Sequence, residues 1–125
     1  DGGDGDDVVS GGSGNDIVRG GNGADRLFGR QGWDIVVGDA GADAVLGDEG
    51  NDLLVGGSAA ADLSSVRAIW LANDFTTAAA LVVAPLAAAA DGAPDGLNGH
   101  TGRDLFFTDG PDGLVIRGDD VFVAV

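Results

Sequence analysis

GGSGNDIVR (Gly11–Arg19), GGNGADRLF (Gly20–Phe28), GRQGWDIVV (Gly29–Val37), GDAGADAVL (Gly38–Leu46) and GDEGNDLLV (Gly47–Val55) follow one another without a gap, and GGDGDDVVS (Gly2–Ser10) precedes them in the same frame. Glycine holds the first and fourth positions and aspartate the sixth in all six copies, so Asp7, Asp16, Asp25, Asp34, Asp43 and Asp52 recur at every ninth residue. The eighth position is always apolar: Val9, Val18, Leu27, Val36, Val45 and Leu54. A disordered spacer has no need of a large apolar residue at a fixed position, so the beat predicts a repeat fold. The second position drifts from glycine to Arg30, Asp39 and Asp48. Aspartate tolerates a left-handed backbone better than most side chains, which leaves Arg30 as the substitution that strains the turn most. A seventh frame opens as Gly56-Gly57-Ser58 and then dissolves into alanine.

Composition narrows what such a repeat can do. The 125 residues are one domain's worth, yet 24 glycines and a formal charge of −15 argue against a core held by burial alone. Twenty-one acids face six arginines and no lysine. That surface repels nucleic acid and anionic lipid and attracts multivalent cations. With no cysteine, neither a disulfide framework nor a thiolate metal site is open to it. The chain opens inside the array with no signal peptide ahead of Asp1, which reads as the C-terminal piece of a longer protein. Its longest apolar stretch, Ala78–Ala90, is too short to span a bilayer and contains Pro85.

The frame is similar to the nonapeptide G-G-x-G-x-D-x-U-x, with U a large apolar residue, found in calcium-binding β-helix repeats. Residues 2–57 thus resemble the RTX (repeats-in-toxin, hemolysin-type) family. The resemblance implies an all-β fold, a right-handed parallel β-roll in which two frames make one coil. One large inward residue per strand fills a thin roll, and frame n stacks on frame n+2 about 4.8 Å away. Stacking sorts the aspartates into two columns, Asp7–Asp25–Asp43 and Asp16–Asp34–Asp52. In the family an ion lies between turns n and n+2, held by both aspartates and by carbonyls of the first four turn positions. Carried over, this implies four two-sided calcium sites: Asp7 with Asp25, Asp25 with Asp43, Asp16 with Asp34, and Asp34 with Asp52.

Residues flanking the inward position face outward. On the even frames they are Ile17, Ile35, Val37, Leu53 and Val55, an aliphatic ladder interrupted by Arg19; on the odd frames they include Ser10, Arg26 and Ala44. Such a ladder is a contact surface, for the C-terminal half or for a protein partner. Trp33 reads as a packing residue. The extra acids Asp4, Asp6, Asp39, Asp48 and Glu49 raise the local charge without being ligands.

Beyond the array the period changes. Leu63, Val66, Ile69 and Trp70 lie at helical spacing between a cap at Asp62 and a stop at Asn73, predicting a helix that closes the end of the roll. Thr76–Ala90 fits either strand or helix. The frame then returns worn: Asp95-Gly96-Leu97-Asn98-Gly99, the nearly complete Gly99–Phe107, and Asp112 with Leu114 and Asp120 with Phe122 at a spacing of eight. Asp95 and Asp104 are further candidate calcium ligands. The chain thus divides into 1–57, the calcium-binding roll; 58–90, a helical, alanine-rich cap; and 91–125, degenerate turns. It ends in Asp119-Asp120-Val121-Phe122-Val123-Ala124-Val125, similar to the C-terminal signals of type I secretion substrates.

Catalytic chemistry finds no foothold. His100 is the sole histidine and sits in a turn; no His-Glu-x-x-His or Gly-x-Ser-x-Gly motif occurs, and no lysine serves a phosphate loop. Arg117-Gly118-Asp119 spells an adhesion tripeptide, an accident expected in a chain rich in aspartate and glycine. The expected function is therefore calcium binding, within a calcium-triggered folding and secretion module of a larger exported, extracellular protein. The alternative is a calcium-dependent adhesion or assembly module that binds a partner through the aliphatic face.

Overall fold

The nine-residue frame becomes half a coil because its glycine turn reverses the chain after each short strand. The computed structural model describes all residues except 60, 61, 73, 87, 88, 90, 109–112, 116–119 and 125. Its elements are β1 (Gly3–Asp4), β2 (Val8–Ser13), β3 (Ile17–Asn22), β4 (Arg26–Gln31), β5 (Ile35–Ala40), β6 (Ala44–Glu49), β7 (Leu53–Val55), α1 (Ser64–Ala72), α2 (Phe75–Leu86), β8 (Gly96–Asn98), β9 (Leu105–Thr108), β10 (Gly113–Val115) and β11 (Val121–Ala124). Strands alternate between two parallel sheets, β1-β3-β5-β7-β9-β11 and β2-β4-β6-β8-β10. This is the expected β-roll. Register confirms the stacking of frame n on n+2: Ile17 pairs with Ile35 and Val18 with Val36, as Leu27 pairs with Val45.

Most strands run longer than the apolar triplet, because pairing resumes in the turn. It passes from Ser10↔Phe28 to Gly12↔Arg30 and Ser13↔Gln31, skipping the first-position glycines Gly11 and Gly29. The second position is left-handed in the first six frames and in the frame that opens at Gly99, but not at Gly57 of the interrupted frame. Glycine holds it at Gly3, Gly12 and Gly21, whereas Arg30 (φ 89°), Asp39 (φ 74°), Asp48 (φ 75°) and His100 (φ 67°) hold it with side chains.

Two cores result. Between the sheets, Val18, Leu27, Val36, Val45, Leu54, Leu97 and Phe106 are buried in one file, with Val9 at its open end. Outside the first sheet a second core joins Ile35, Val37, Leu53, Val55, Leu105 and Phe107 to Leu63, Val66, Trp70, Phe75, Ala78, Val82 and Leu86. The aliphatic ladder is therefore covered from within the chain. Ile35, Val37, Leu53 and Val55 are buried and Ile17 is half-buried, so the face expected for a partner is not exposed. Burying one such side chain is worth about 1.5–3 kcal/mol, which is why a chain able to cover the ladder does so.

The cover is a helical hairpin. Asp62 accepts the Ser64 N–H (2.9 Å) just ahead of α1. Asp74 caps α2, accepting the Thr77 N–H (3.2 Å) and hydroxyl (2.7 Å). Residues 76–86 of the ambiguous stretch are thus helix, in an α2 that begins at Phe75, with Phe75, Ala78, Val82 and Leu86 on the buried stripe. The expectation that the helix closes the end of the roll is corrected. The hairpin lies on a sheet face, because the unpaired apolar surface is there, and the roll's end is extended by further strands.

The seventh frame does not dissolve either; it is interrupted. Asp43 N–H bonds to Asp95 at a separation of 52 residues, where the preceding link in the column spans 18, so 34 residues are inserted. Gly56-Gly57-Ser58 and Ala93-Pro94-Asp95-Gly96-Leu97-Asn98 together make one nine-residue frame, with residues 59–92 looped out. A reciprocal bridge, Ser58 N–H to Ala89 O (2.9 Å) and Ala89 N–H to Ser58 O (2.8 Å), closes the neck of that loop. The readings placed on Asn73, Asp112, Arg117-Gly118-Asp119 and Val125 lie outside the described residues.

Candidate metal centre

Each sixth-position aspartate ends a turn and begins a strand, so its side chain points back into the turn. From Asp25 onward, its Oδ1 accepts the backbone N–H of the aspartate two frames earlier. One column runs Asp7 to Asp25 (2.8 Å), Asp25 to Asp43 (2.8 Å) and Asp43 to Asp95 (2.7 Å). The other runs Asp16 to Asp34 (2.7 Å), Asp34 to Asp52 (2.9 Å), Asp52 to Asp104 (2.8 Å) and Asp104 to Asp120 (3.0 Å). All eight predicted residues thus stand in two columns. Asp120 also joins, which a search at nine-residue spacing passes over, because it follows Asp104 by 16.

The second oxygen differs. Oδ2 of Asp7, Asp16, Asp25, Asp34, Asp43 and Asp52 is buried and has no hydrogen-bond partner. Each borders the space that a Cβ on its own frame's first glycine would take. At Gly29 such a carbon would lie 2.6 Å from Asp34 Oδ2 and 2.7 Å from the carbonyl oxygen of Gly47, the first glycine two frames on. The same pair of atoms crowds Gly2, Gly11, Gly20 and Gly38. Glycine is required here to let carboxylate and carbonyl oxygens approach one another. An unpaired buried carboxylate beside a carbonyl is costly unless a cation joins them.

The donor set suits a hard cation that takes six to eight oxygens. Among the described residues no three His, Cys, Asp or Glu side chains converge, and an ion here would be held by carboxylates together with the neighbouring glycine carbonyls. Burial, reinforced by neighbouring aspartates, pushes Asp52 up to about 8 and Asp34 and Asp43 to about 6. Asp104 rises to about 6 from burial, with Asp120 adding to the shift.

The other acids are structural. Arg19, which breaks the ladder, donates from Nε to Asp39 Oδ2 (2.8 Å) and contacts Oδ1 through Nη2. Asp48 sits between Arg30 (3.6 Å) and His100 Nδ1 (2.9 Å). Asp4 and Asp6 accept from Asn22 Nδ2 and Ala24 N–H. Arg30 stacks on Phe28 at 4.6 Å, a contact of about 0.5–1 kcal/mol that offsets part of its left-handed strain of about 1–2 kcal/mol. A groove of about 480 Å³ runs along this edge between Arg30, Asp48, Glu49 and His100, away from the carboxylate columns.

A model of the RTX calcium-binding nonapeptide repeat, four copies long, matches residues 1–32 and again 28–60. Residues 1–60 carry RTX calcium-binding nonapeptide repeats of the hemolysin type. No curated protein and no solved structure matches the chain. RTX repeats bind calcium and are typical of secreted bacterial proteins. The family match ends near the start of the helical insertion, although the two sheets of the roll continue to β10 and β11.

Proposed function

We propose that Asp7, Asp16, Asp25, Asp34, Asp43, Asp52, Asp95 and Asp104 hold calcium ions in pairs two frames apart, and that ion binding drives the folding of the array. The observation that carries this is the file of buried, unpartnered Oδ2 atoms, each beside a first-position glycine and most beside a carbonyl of the next coil. The four pairs within frames 1–6 are joined by two more, Asp43 with Asp95 and Asp52 with Asp104. At the roughly 10⁻⁴–10⁻³ M affinity of extracellular modules, about 1 mM calcium contributes about 0.4–1.4 kcal/mol per site. Several such sites reach the net stability of a domain. In this reading residues 1–57 are the ion-binding roll, 58–90 its cover, and 91–125 degenerate turns. The test is far-UV circular dichroism in chelator and then in millimolar calcium. A β signal that develops with calcium is expected; an unchanged spectrum sinks the reading.

The same coupling suits a chain exported unfolded through a type I secretion apparatus and folded outside the cell. The acidic, then apolar residues Asp120–Val125, similar to the signals of type I secretion substrates, suit that role. Deleting Val121–Val125 is expected to retain the full-length protein inside the producing cell, and undiminished export would refute it. The adhesion alternative loses its surface, since the aliphatic face is covered by α1 and α2.

A further inference from the structure

The structure assigns a composite ion site whose halves lie on either side of the helical insertion, so that ion binding there and docking of the α1–α2 hairpin form one cooperative event. The inference rests on the calcium reading above and deepens it. In the space around Gly38, Asp43 Oδ2 meets the carbonyl oxygen of Gly56. Gly56 precedes the insertion. The carboxylate that closes this turn, Asp95, follows it and accepts the Asp43 N–H at 2.7 Å. The two halves of this one frame come together only when the chain has made its 34-residue excursion and returned.

The neck fixes that return. Beside the Ser58–Ala89 bridge, Gly41 N–H bonds to Asp91 Oδ2 (2.8 Å), and Arg19 Nη2 reaches the carbonyl of Ala59 (3.4 Å) where the excursion begins. The hairpin's aromatic end touches the other column. Trp70 packs on Trp33 (ring centres 6.1 Å apart) and donates from Nε1 to the Asn51 carbonyl (3.2 Å). Phe75 lies under Arg103 (4.4 Å). Trp33, Asn51 and Arg103 are the fifth-position residues immediately before Asp34, Asp52 and Asp104. The hairpin therefore contacts the turns of three successive carboxylates on one side and splits the frame of a fourth on the other. Four aspartate pairs lie wholly within frames 1–6; two, Asp43 with Asp95 and Asp52 with Asp104, need the chain to return. A docked hairpin holds those two pairs together. By reciprocity an ion in them holds the hairpin.

The chain has two tryptophans, so in a Trp33→Phe background Trp70 alone reports docking by fluorescence. Calcium titration of this protein and of its Asp95→Ala derivative, followed by Trp70 emission and by far-UV circular dichroism, tests the proposal. Asp95→Ala is expected to move the Trp70 midpoint to about tenfold higher calcium, within the range of coupled sites. Asp4→Ala, which removes an exposed charge at the far end, is expected to leave it in place. A midpoint unmoved by Asp95→Ala, or hairpin docking that is complete in chelator, overturns the proposal. If Asp95→Ala never docks, a retained β signal at saturating calcium supports it and a lost one overturns it. Conversely, Val82→Asp on the buried hairpin stripe is expected to abolish the two bridging sites in calorimetric calcium titration; an unchanged stoichiometry overturns the coupling. If neither signal of the parent protein responds to calcium, the underlying calcium reading has failed; if both respond but Asp95→Ala moves neither, only the coupling has.

Discussion

At the residue scale, two kinds of glycine do different work. First-position glycines such as Gly29 leave room for oxygen atoms, whereas Gly12 (φ 107°) has nothing within 4 Å of its missing Cβ and serves only backbone conformation. Gly29→Ala is expected to weaken the Asp34–Asp52 site by at least about tenfold, because the added carbon stands where the two oxygens converge. Gly12→Ala is expected to cost about 1–2 kcal/mol of calcium-loaded stability with the ion count unchanged. Calorimetric titration and thermal unfolding separate the two. Equal loss of ions from both variants would remove the distinction. Arg30 shows how a left-handed position survives without glycine: its stack on Phe28 and its pairing with Asp48 nearly cancel the strain. Arg30→Gly is accordingly expected to shift stability by less than about 1 kcal/mol.

At the element scale, the hairpin is the cover of an apolar sheet face. A lysine at Ile35 would put a charge into the buried cluster that also holds Val66 and Trp70, so Ile35→Lys is expected to cost at least about 3 kcal/mol in calcium, or to undock the hairpin. Undiminished stability by denaturant unfolding would mean that the face is not covered in solution. The N-cap is a gentler probe. Asp74→Ala should cost about 1 kcal/mol, because it removes both acceptors that hold Thr77.

At the scale of the whole molecule, charge decides how the fold responds to solution. In metal-free protein the folded-state carboxyls of Asp34, Asp43, Asp52 and Asp104 titrate above their ordinary value, at about 6 to about 8. A group raised in the folded state stabilises it fully below the unfolded value, near 4, and loses that contribution as pH rises through 6 to 8. Chelated protein, which lacks the β signal at pH 8, is therefore expected to gain part of it as pH falls toward 5. Calcium reverses the trend, since ion binding needs the deprotonated carboxylates, and calcium affinity should fall between pH 8 and pH 6. Thermal unfolding monitored by circular dichroism, with and without calcium across that range, checks both signs; parallel profiles would contradict them.

The sequence by itself determined everything that repeats locally: which residue of each frame points inward, which aspartates stack, and that Asp104 begins a usable strand. The inward residue follows from the nine-residue period and from alternation along a strand, and the stacking of the aspartates from the resemblance that the same residues carry. It did not reveal that Gly56-Gly57-Ser58 and Ala93–Asn98 are one frame, because 34 inserted residues break the period and only pairing in space restores it. Nor did helical spacing at Leu63, Val66 and Trp70 say which surface the helix meets. A stripe specifies that a face must be buried but not against what, and here it is buried against the ladder of Ile35, Val37, Leu53 and Val55. The tertiary structure alone decided that the cover lies on the side of the roll, and that one turn of the carboxylate column is closed across it.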